Sequence, residues 1–247
     1  MKEKIKHTFE QYPGMFNYEL LYKAMVRKWP AGSKFLEVGS YCGRSGCYMA
    51  TEIFNSDKDI EWHMVDNWAW EGTFRIRYLD ENKNEQEKHL KKDEAKAFAV
   101  SAVAPFSDFT TIHHQPSAEV SKKFKDKTFD FIWLDGDHSG EGCAVDIEAW
   151  LPKVKPGGIL AGHDYLFGNP NIKKDYVADA VNDAFGEVSY LDYEYIKNLI
   201  DLPKWLTEER YIKKCTEKLP HWRKLYGQLP HSIVIGGAWL IDTSLHK

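Results

Sequence analysis

Asp135, Asp137 and His138 stand directly after the apolar run 131–134, and His163 and Asp164 stand just after the apolar run 159–161. Carboxylate and imidazole are the side chains that exchange protons in general acid–base chemistry, and imidazole does so near neutrality. The first group sits in F-D-F-I-W-L-D-G-D-H and the second in K-P-G-G-I-L-A-G-H-D-Y, with an acidic, helix-like segment between them. A buried parallel strand ends in the crevice where open α/β sheets bind their ligands, so residues just past its end face that crevice. Two such groups, one crossover apart, can converge on one small volume.

The elements that must position them are legible from periodicity. Residues 16–29 carry Phe16, Leu20, Leu21, Ala24 and Met25 at helical spacing, and Pro30-Ala31-Gly32 ends the run. Strands are expected at 34–38, 60–65, 110–114, 131–134 and 158–162, with closing strands at 188–191 and 232–241. Helices are expected from the turn after Val38 to about Phe54, over 85–103 and 142–151, and near 175–185. The charged run 81–96 reads as a solvated helix face. This alternation predicts an α/β fold: a Rossmann-like, doubly wound, mostly parallel seven-stranded sheet with helices on both faces. Residues 1–247 read as a single domain, with an N-terminal helical segment at 1–33 and a substrate-cap insertion at 193–231.

Composition narrows the class. Apolar residues make up 43% and charged residues 28%, which excludes disorder as the default. A net charge of −4 with interspersed signs gives no electrostatic case for nucleic acid or an anionic membrane. The start lacks the apolar core of a signal peptide and no run approaches the length of a membrane span, so a cytoplasmic protein is expected. Cys42, Cys47, Cys143 and Cys215 show no paired metal spacing and read as free thiols in a reducing compartment.

The first strand runs into F-L-E-V-G-S-Y-C-G-R-S-G. Glycine after a strand permits a tight turn and close approach of a ligand to the backbone. A dinucleotide fingerprint would place glycine two residues after Gly39, where the pyrophosphate touches the chain; that position is Tyr41. A nicotinamide oxidoreductase is disfavoured on that ground. The chain instead resembles a class I S-adenosylmethionine-dependent methyltransferase over roughly residues 35–241. E-V-G-S-Y-C-G resembles that family's first motif, and V-D-N-W the acidic end of its second strand. L-D-G-D-H-S and K-P-G-G-I-L-A-G-H-D-Y resemble motifs of a subgroup that includes sugar and antibiotic O-methyltransferases.

The resemblance implies S-adenosyl-L-methionine as cofactor. Asp66 would accept the ribose hydroxyls, with Asn67 and Trp68 beside it; Glu37 would act near the amino or sulfonium end. Gly39, Ser40, Tyr41 and Gly43 would form the loop along the methionine moiety, with Asp135 closing the site. Gln115 and Ser117 would meet adenine, although a capping or turn role for them is equally open. Methyl transfer from a sulfonium is an in-line displacement, so it needs alignment and then deprotonation of the acceptor hydroxyl. Metal-dependent members use acids at the places of Asp135 and Asp164, with His163 in a slot that is usually aspartate. That substitution suits Mn²⁺, Fe²⁺ or Zn²⁺ better than Mg²⁺. A metal-free pocket shaped by the same carboxylates is the alternative. Asp137 is the expected base with a metal bound, and His138 or His163 without one.

The acceptor is expected to be a small molecule. Trp68, Trp70, Phe74, Arg75, Arg77 and Tyr78, together with aromatic residues of 193–231, either shape its site or pack on the sheet or on a second subunit, which keeps a homo-oligomer open. A metal-independent or nitrogen-directed methyltransferase and a non-catalytic S-adenosylmethionine-binding protein are the remaining alternatives.

Overall fold

The computed structural model describes residues 3–80, 82, 84–165, 176–185 and 238–243. Among them, the strands β1 (Lys34–Val38), β2 (Glu61–Asp66), β5 (Thr110–His114), β6 (Phe129–Leu134), β7 (Val154–Gly162) and β8 (Trp239–Asp242) form one six-stranded sheet in the order β5-β2-β1-β6-β7-β8. All neighbours are parallel except β7 and β8. The strand direction of winding reverses between β1 and β6, which makes their carboxyl ends the switch point. The sheet thus has six described strands rather than the expected seven; the expected strand at 188–191 and the insertion at 193–231 lie outside the described residues.

Register sets the site. Val38 pairs with both Val65 and Leu134, and Leu134 pairs with Gly162, so β1, β2, β6 and β7 end nearly level. The ladder continues past the strand ends: Gly39 N donates to Val65 O at 2.8 Å, Asp135 N to Val38 O at 2.9 Å and His163 N to Leu134 O at 3.0 Å. The side chains that leave the strands are therefore held by sheet hydrogen bonds.

The central strands are buried on both faces, as a parallel sheet requires. Phe35, Trp62, Met64, Phe131 and Trp133 pack under α1 (Glu19–Lys28), α2 (Arg44–Asn55) and the aromatic arm before them. Leu36, Val65, Ile132, Leu134 and Leu160 face the other side. There they meet Val120 of α4 (Ser117–Ser121), Ile147 and Trp150 of α5 (Gly140–Trp150), and Val177 and Val181 of α6 (Tyr176–Phe185).

One expected element is corrected. Residues 85–90 are not the start of a helix. Glu85–Leu90 is a strand, β4, antiparallel to β3 (Phe74–Leu79) in a separate two-stranded sheet, and α3 begins at Lys92 (Lys92–Val103). Asp80 fixes the turn, its Oδ1 accepting the N–H groups of Asn82 and Asn84 at 2.9 Å. Ile76 and Leu90 of the hairpin are buried against Trp68, Ala95 and Ala99, and this packing overrides the helical propensity of the charged run.

Across β2 and β5, His63 Nδ1 and His113 Nε2 lie 3.1 Å apart in stacked rings. Burial lowers the pKa of both, and that of His113, with His63 and Lys123 adding repulsion, falls from 6.5 to about 4. The unfolded chain takes up protons as pH drops below 6.5, whereas folded His113 stays neutral until about 4. Stability is therefore complete above 6.5 and declines progressively from there toward 4. Urea melts of His113→Gln should show a smaller loss between pH 7.5 and pH 5 than the unsubstituted protein; an equal loss would refute the assignment.

No helix among the described residues is long and apolar enough to cross a membrane. Cys42 and Cys47 are buried free thiols, Cys143 is buried as well, and Cys215 lies outside the described residues.

Candidate active site

The loop after β1 is shaped by close approach. Gly39 has φ 89°, and a Cβ there would overlap the Asp135 carbonyl. Gly43, with φ 76°, caps α2; a Cβ would sit 2.7 Å from Ala99 Cα. Between them Tyr41 takes a left-handed conformation, and Asp66 stabilises it. Asp66 Oδ2 accepts Tyr41 N–H at 2.7 Å and Oδ1 accepts Trp68 N–H at 2.8 Å, while the Trp68 indole donates to Tyr41 O at 2.8 Å. Burial raises the Asp66 pKa, and these backbone donors oppose the rise. One carboxylate thus ties the two loops expected to hold a cofactor.

Beneath them Glu37 is fully buried. Its Oε1 accepts the Tyr22 hydroxyl at 2.9 Å, but its Oε2 has no protein partner, and neither does the buried Ser40 Oγ. Burial pushes the Glu37 carboxyl up to about 8, against the Tyr22 hydrogen bond. Buried polar atoms are nearly always paired, so unpaired ones beside a glycine loop mark a place for a polar ligand group.

The second half of the site lies at the ends of β6 and β7. His138 Nε2 sits 3.3 Å from Asp135 Oδ1 and 3.2 Å from Asp164 Oδ2. The hydrogen bond to Asp135 and the two negative charges outweigh burial and hold the imidazole up to about 9. His163 Nδ1 lies 3.3 Å from Asp164 Oδ1 and 3.8 Å from Asp135 Oδ1, and its Nε2 faces Asn17 Oδ1 at 3.1 Å. Burial lowers the His163 pKa, but Asp164 and Asp135 prevail and the net direction is up. Burial likewise raises Asp164, and the two imidazoles more than reverse it. Asp164 has φ 57°, a strained conformation that aims its carboxylate into the cluster.

Ligand atoms of Asp135, His138 and Asp164 all lie within 4.8 Å of one another, a set of two carboxylates and one imidazole that fits a first-row divalent cation. The sequence reading named His163 as the imidazole of such a set. In the structure His138 completes the compact group, and His163 brackets it from the Asn17 side.

Other expected residues are placed differently. Asp137 is exposed; its Oδ1 accepts Ser139 N–H at 2.8 Å, and its carboxylate leans on the first turn of α5 beside Gly142. Ser117 Oγ accepts the Trp150 indole N–H at 2.7 Å, a role in packing α4 on α5. Gln115 is exposed and paired with Lys123. Asn67 Oδ1 accepts Ala69 N–H at 3.0 Å, an Asx turn, and Trp68 is buried in the hairpin cluster, so neither indole face is free to stack on a ligand. Sequence reasoning missed Asn17, Tyr18 and Tyr22 of the N-terminal arm. Tyr18 donates to Asp135 Oδ2 at 3.1 Å. Ser45, buried in the first turn of α2, was also missed; its hydroxyl opposes the upward pKa shifts of Glu37 and Tyr18. The four-residue spacing of Tyr18 and Tyr22 on the buried face was the signal for the tyrosines.

Comparison with known proteins agrees with this architecture. No curated protein matches the chain. Among solved structures, a Corynebacterium glutamicum protein superposes with a TM-score of 0.50 at 13% identity, over 93% of this chain and 81% of that one. An O-methyltransferase from Bacillus cereus in complex with SAH gives 0.47 at 16%, over 73% and 70%. The O-methyltransferase TomG from Streptomyces achromogenes, involved in tomaymycin synthesis and solved with SAM, gives 0.45 at 14%, over 67% and 65%. At 13% identity the likeness to the Corynebacterium glutamicum protein concerns the fold. A family model described as a methyltransferase domain matches residues 36–165, which is more than half of the 247 residues and spans β1 to the end of the Asp135–Asp164 cluster. The chain belongs to this methyltransferase family.

Proposed function

We propose that this protein is an S-adenosylmethionine-dependent methyltransferase that methylates a hydroxyl of a small molecule, of sugar or natural-product type, with the help of a divalent cation. The observation that carries the reading is the level ending of β1, β6 and β7. It sets the unpaired Glu37 Oε2 and Ser40 Oγ beside the Asp135–His138–Asp164 cluster.

S-adenosylmethionine, when bound, supplies an electrophilic methyl on a sulfonium. The chain's own residues then have definable tasks. Gly39 lets the ligand approach the backbone. Each Asp66 oxygen holds one N–H and keeps lone pairs for ribose hydroxyls. Glu37 Oε2 offers a buried acceptor to an ammonium, whose charge would draw the carboxyl down from about 8 into its ionised form. Asp135, His138 and Asp164 would hold the cation, which lowers the pKa of an acceptor hydroxyl and fixes its orientation. With His138 so engaged, Asp137, whose Oδ1 accepts the Ser139 N–H two residues on, would receive the acceptor's proton.

A second reading is favoured by the bridging position of His138. Without a cation, His138 Nε2 takes the proton itself. Its base form grows as pH approaches about 9, so the rate should climb over that range. Transfer of a labelled methyl from S-adenosylmethionine to a panel of small hydroxyl compounds, with Mn²⁺ or with chelator, decides between them. Loss of transfer on chelation supports the cation; chelator-insensitive transfer rising toward pH 9 supports His138 as base. Transfer confined to amine acceptors would contradict both.

A further inference from the structure

We infer that Tyr18 is a positioning residue for the reaction: its phenol fixes the Asp135 carboxylate so that the other oxygen is presented to the cation. The inference rests on the cation-assisted reading above. Tyr18 precedes α1 by one residue and is 2% exposed. Its hydroxyl donates to Asp135 Oδ2 at 3.1 Å, which leaves Oδ1 facing His138 Nε2 at 3.3 Å.

The donor is itself immobilised. The Tyr18 ring lies 4.3 Å from Trp133 at a 35° tilt, with Phe16 edge-on at 4.6 Å and Tyr22 at 5.1 Å. A carboxylate rotates freely about its terminal torsion, and two equivalent oxygens would otherwise share the cluster-facing position. One hydrogen bond from a locked phenol removes that freedom. Partners of this kind set the orientation of metal-ligating side chains, and their removal costs about 10–100-fold in metal affinity. The neighbouring contacts have the same form: Asn17 meets His163 Nε2 at 3.1 Å and Tyr22 meets Glu37 Oε1 at 2.9 Å. Asn17, Tyr18 and Tyr22 therefore each meet one polar side chain of the site, namely His163, Asp135 and Glu37.

Tyr18→Phe keeps the ring and deletes the hydroxyl alone. Mn²⁺ binding to the full chain, followed by electron paramagnetic resonance of the free ion, should weaken about 10-fold or more. Affinity for S-adenosylhomocysteine, read by calorimetry, should stay within about two-fold, because Glu37 and Asp66 are untouched. Tyr22→Phe, which deletes a comparable buried phenol–carboxylate bond away from Asp135, should leave Mn²⁺ affinity within the same margin. Equal Mn²⁺ affinity in Tyr18→Phe and the unsubstituted protein would overturn the inference and leave the cation reading intact. Equal weakening in both variants would show a merely structural role and also overturn it. An unsubstituted protein that binds no Mn²⁺ would sink the cation reading and this inference together.

Discussion

Asp135→Asn should lower methyl transfer roughly 10³-fold while S-adenosylhomocysteine affinity changes by less than about three-fold. Asparagine is isosteric, and its amide oxygen can still accept the Tyr18 hydroxyl, so the local packing survives. The charge does not. Asp135 Oδ1 is one of the two anionic groups that face His138, at 3.3 Å, and one of the three ligand atoms of the compact cluster. The amide would turn a donor or a neutral oxygen toward that point, removing an anionic ligand from the proposed cation site and the first support of the raised His138 pKa. The proposed cofactor half, built on Glu37, Gly39 and Asp66, stays intact. The check is label transfer to any accepted hydroxyl, with calorimetry in parallel. An asparagine variant with normal turnover would remove Asp135 from the chemistry.

Gly39→Ala should destabilise the fold by about 2–5 kcal/mol, from adverse φ plus overpacking, and weaken S-adenosylhomocysteine binding more than 10-fold. The clash cannot be relieved by a rotamer. The atoms a Cβ would meet are backbone atoms of Asp135 and Gly136, and both chains are held by ladder bonds: Gly39 N to Val65 O at 2.8 Å, Asp135 N to Val38 O at 2.9 Å. Any relief separates β1 from β6 at the point where the two halves of the site meet. Gly32 is the control: its φ is 80°, yet nothing lies within 4 Å of a Cβ there. Gly32→Ala should show only the conformational cost, about 1–2 kcal/mol. Urea denaturation of the two variants separates the terms; equal losses would mean that close approach at Gly39 is unimportant.

The strands of the sheet were legible because parallel central strands are continuous apolar runs. Phe131 to Leu134 is such a run, and Phe35, Leu36 and Val38 make another broken only by Glu37; the residues that follow them fall where the switch point puts a ligand. Three things were not legible. Strand β4 hides in a polar run whose one apolar residue, Leu90, like Ile76 of β3, matters only once Trp68 and Ala99 are beside it. The arm residues Asn17, Tyr18 and Tyr22 read as one face of an ordinary amphipathic helix, since nothing local says that their polar tips meet Asp135, Glu37 and His163, up to 146 residues away. The choice between His138 and His163 as third member of the cluster depends on the turn after β6, which spacing alone does not describe; that turn brings His138 into the compact group with Asp135 and Asp164. Asp66 shows the opposite case: the motif located it, and the structure adds that it ties the Tyr41 and Trp68 loops together.

The central claim is that the loops after β1 and β2 form a binding site for S-adenosylmethionine, and calorimetric titration of the full chain with S-adenosylhomocysteine tests it most directly. Saturable one-to-one binding in the micromolar range, about −8 kcal/mol, is expected, with none for NAD. Folded protein that ignores S-adenosylhomocysteine, or that prefers NAD, would contradict it.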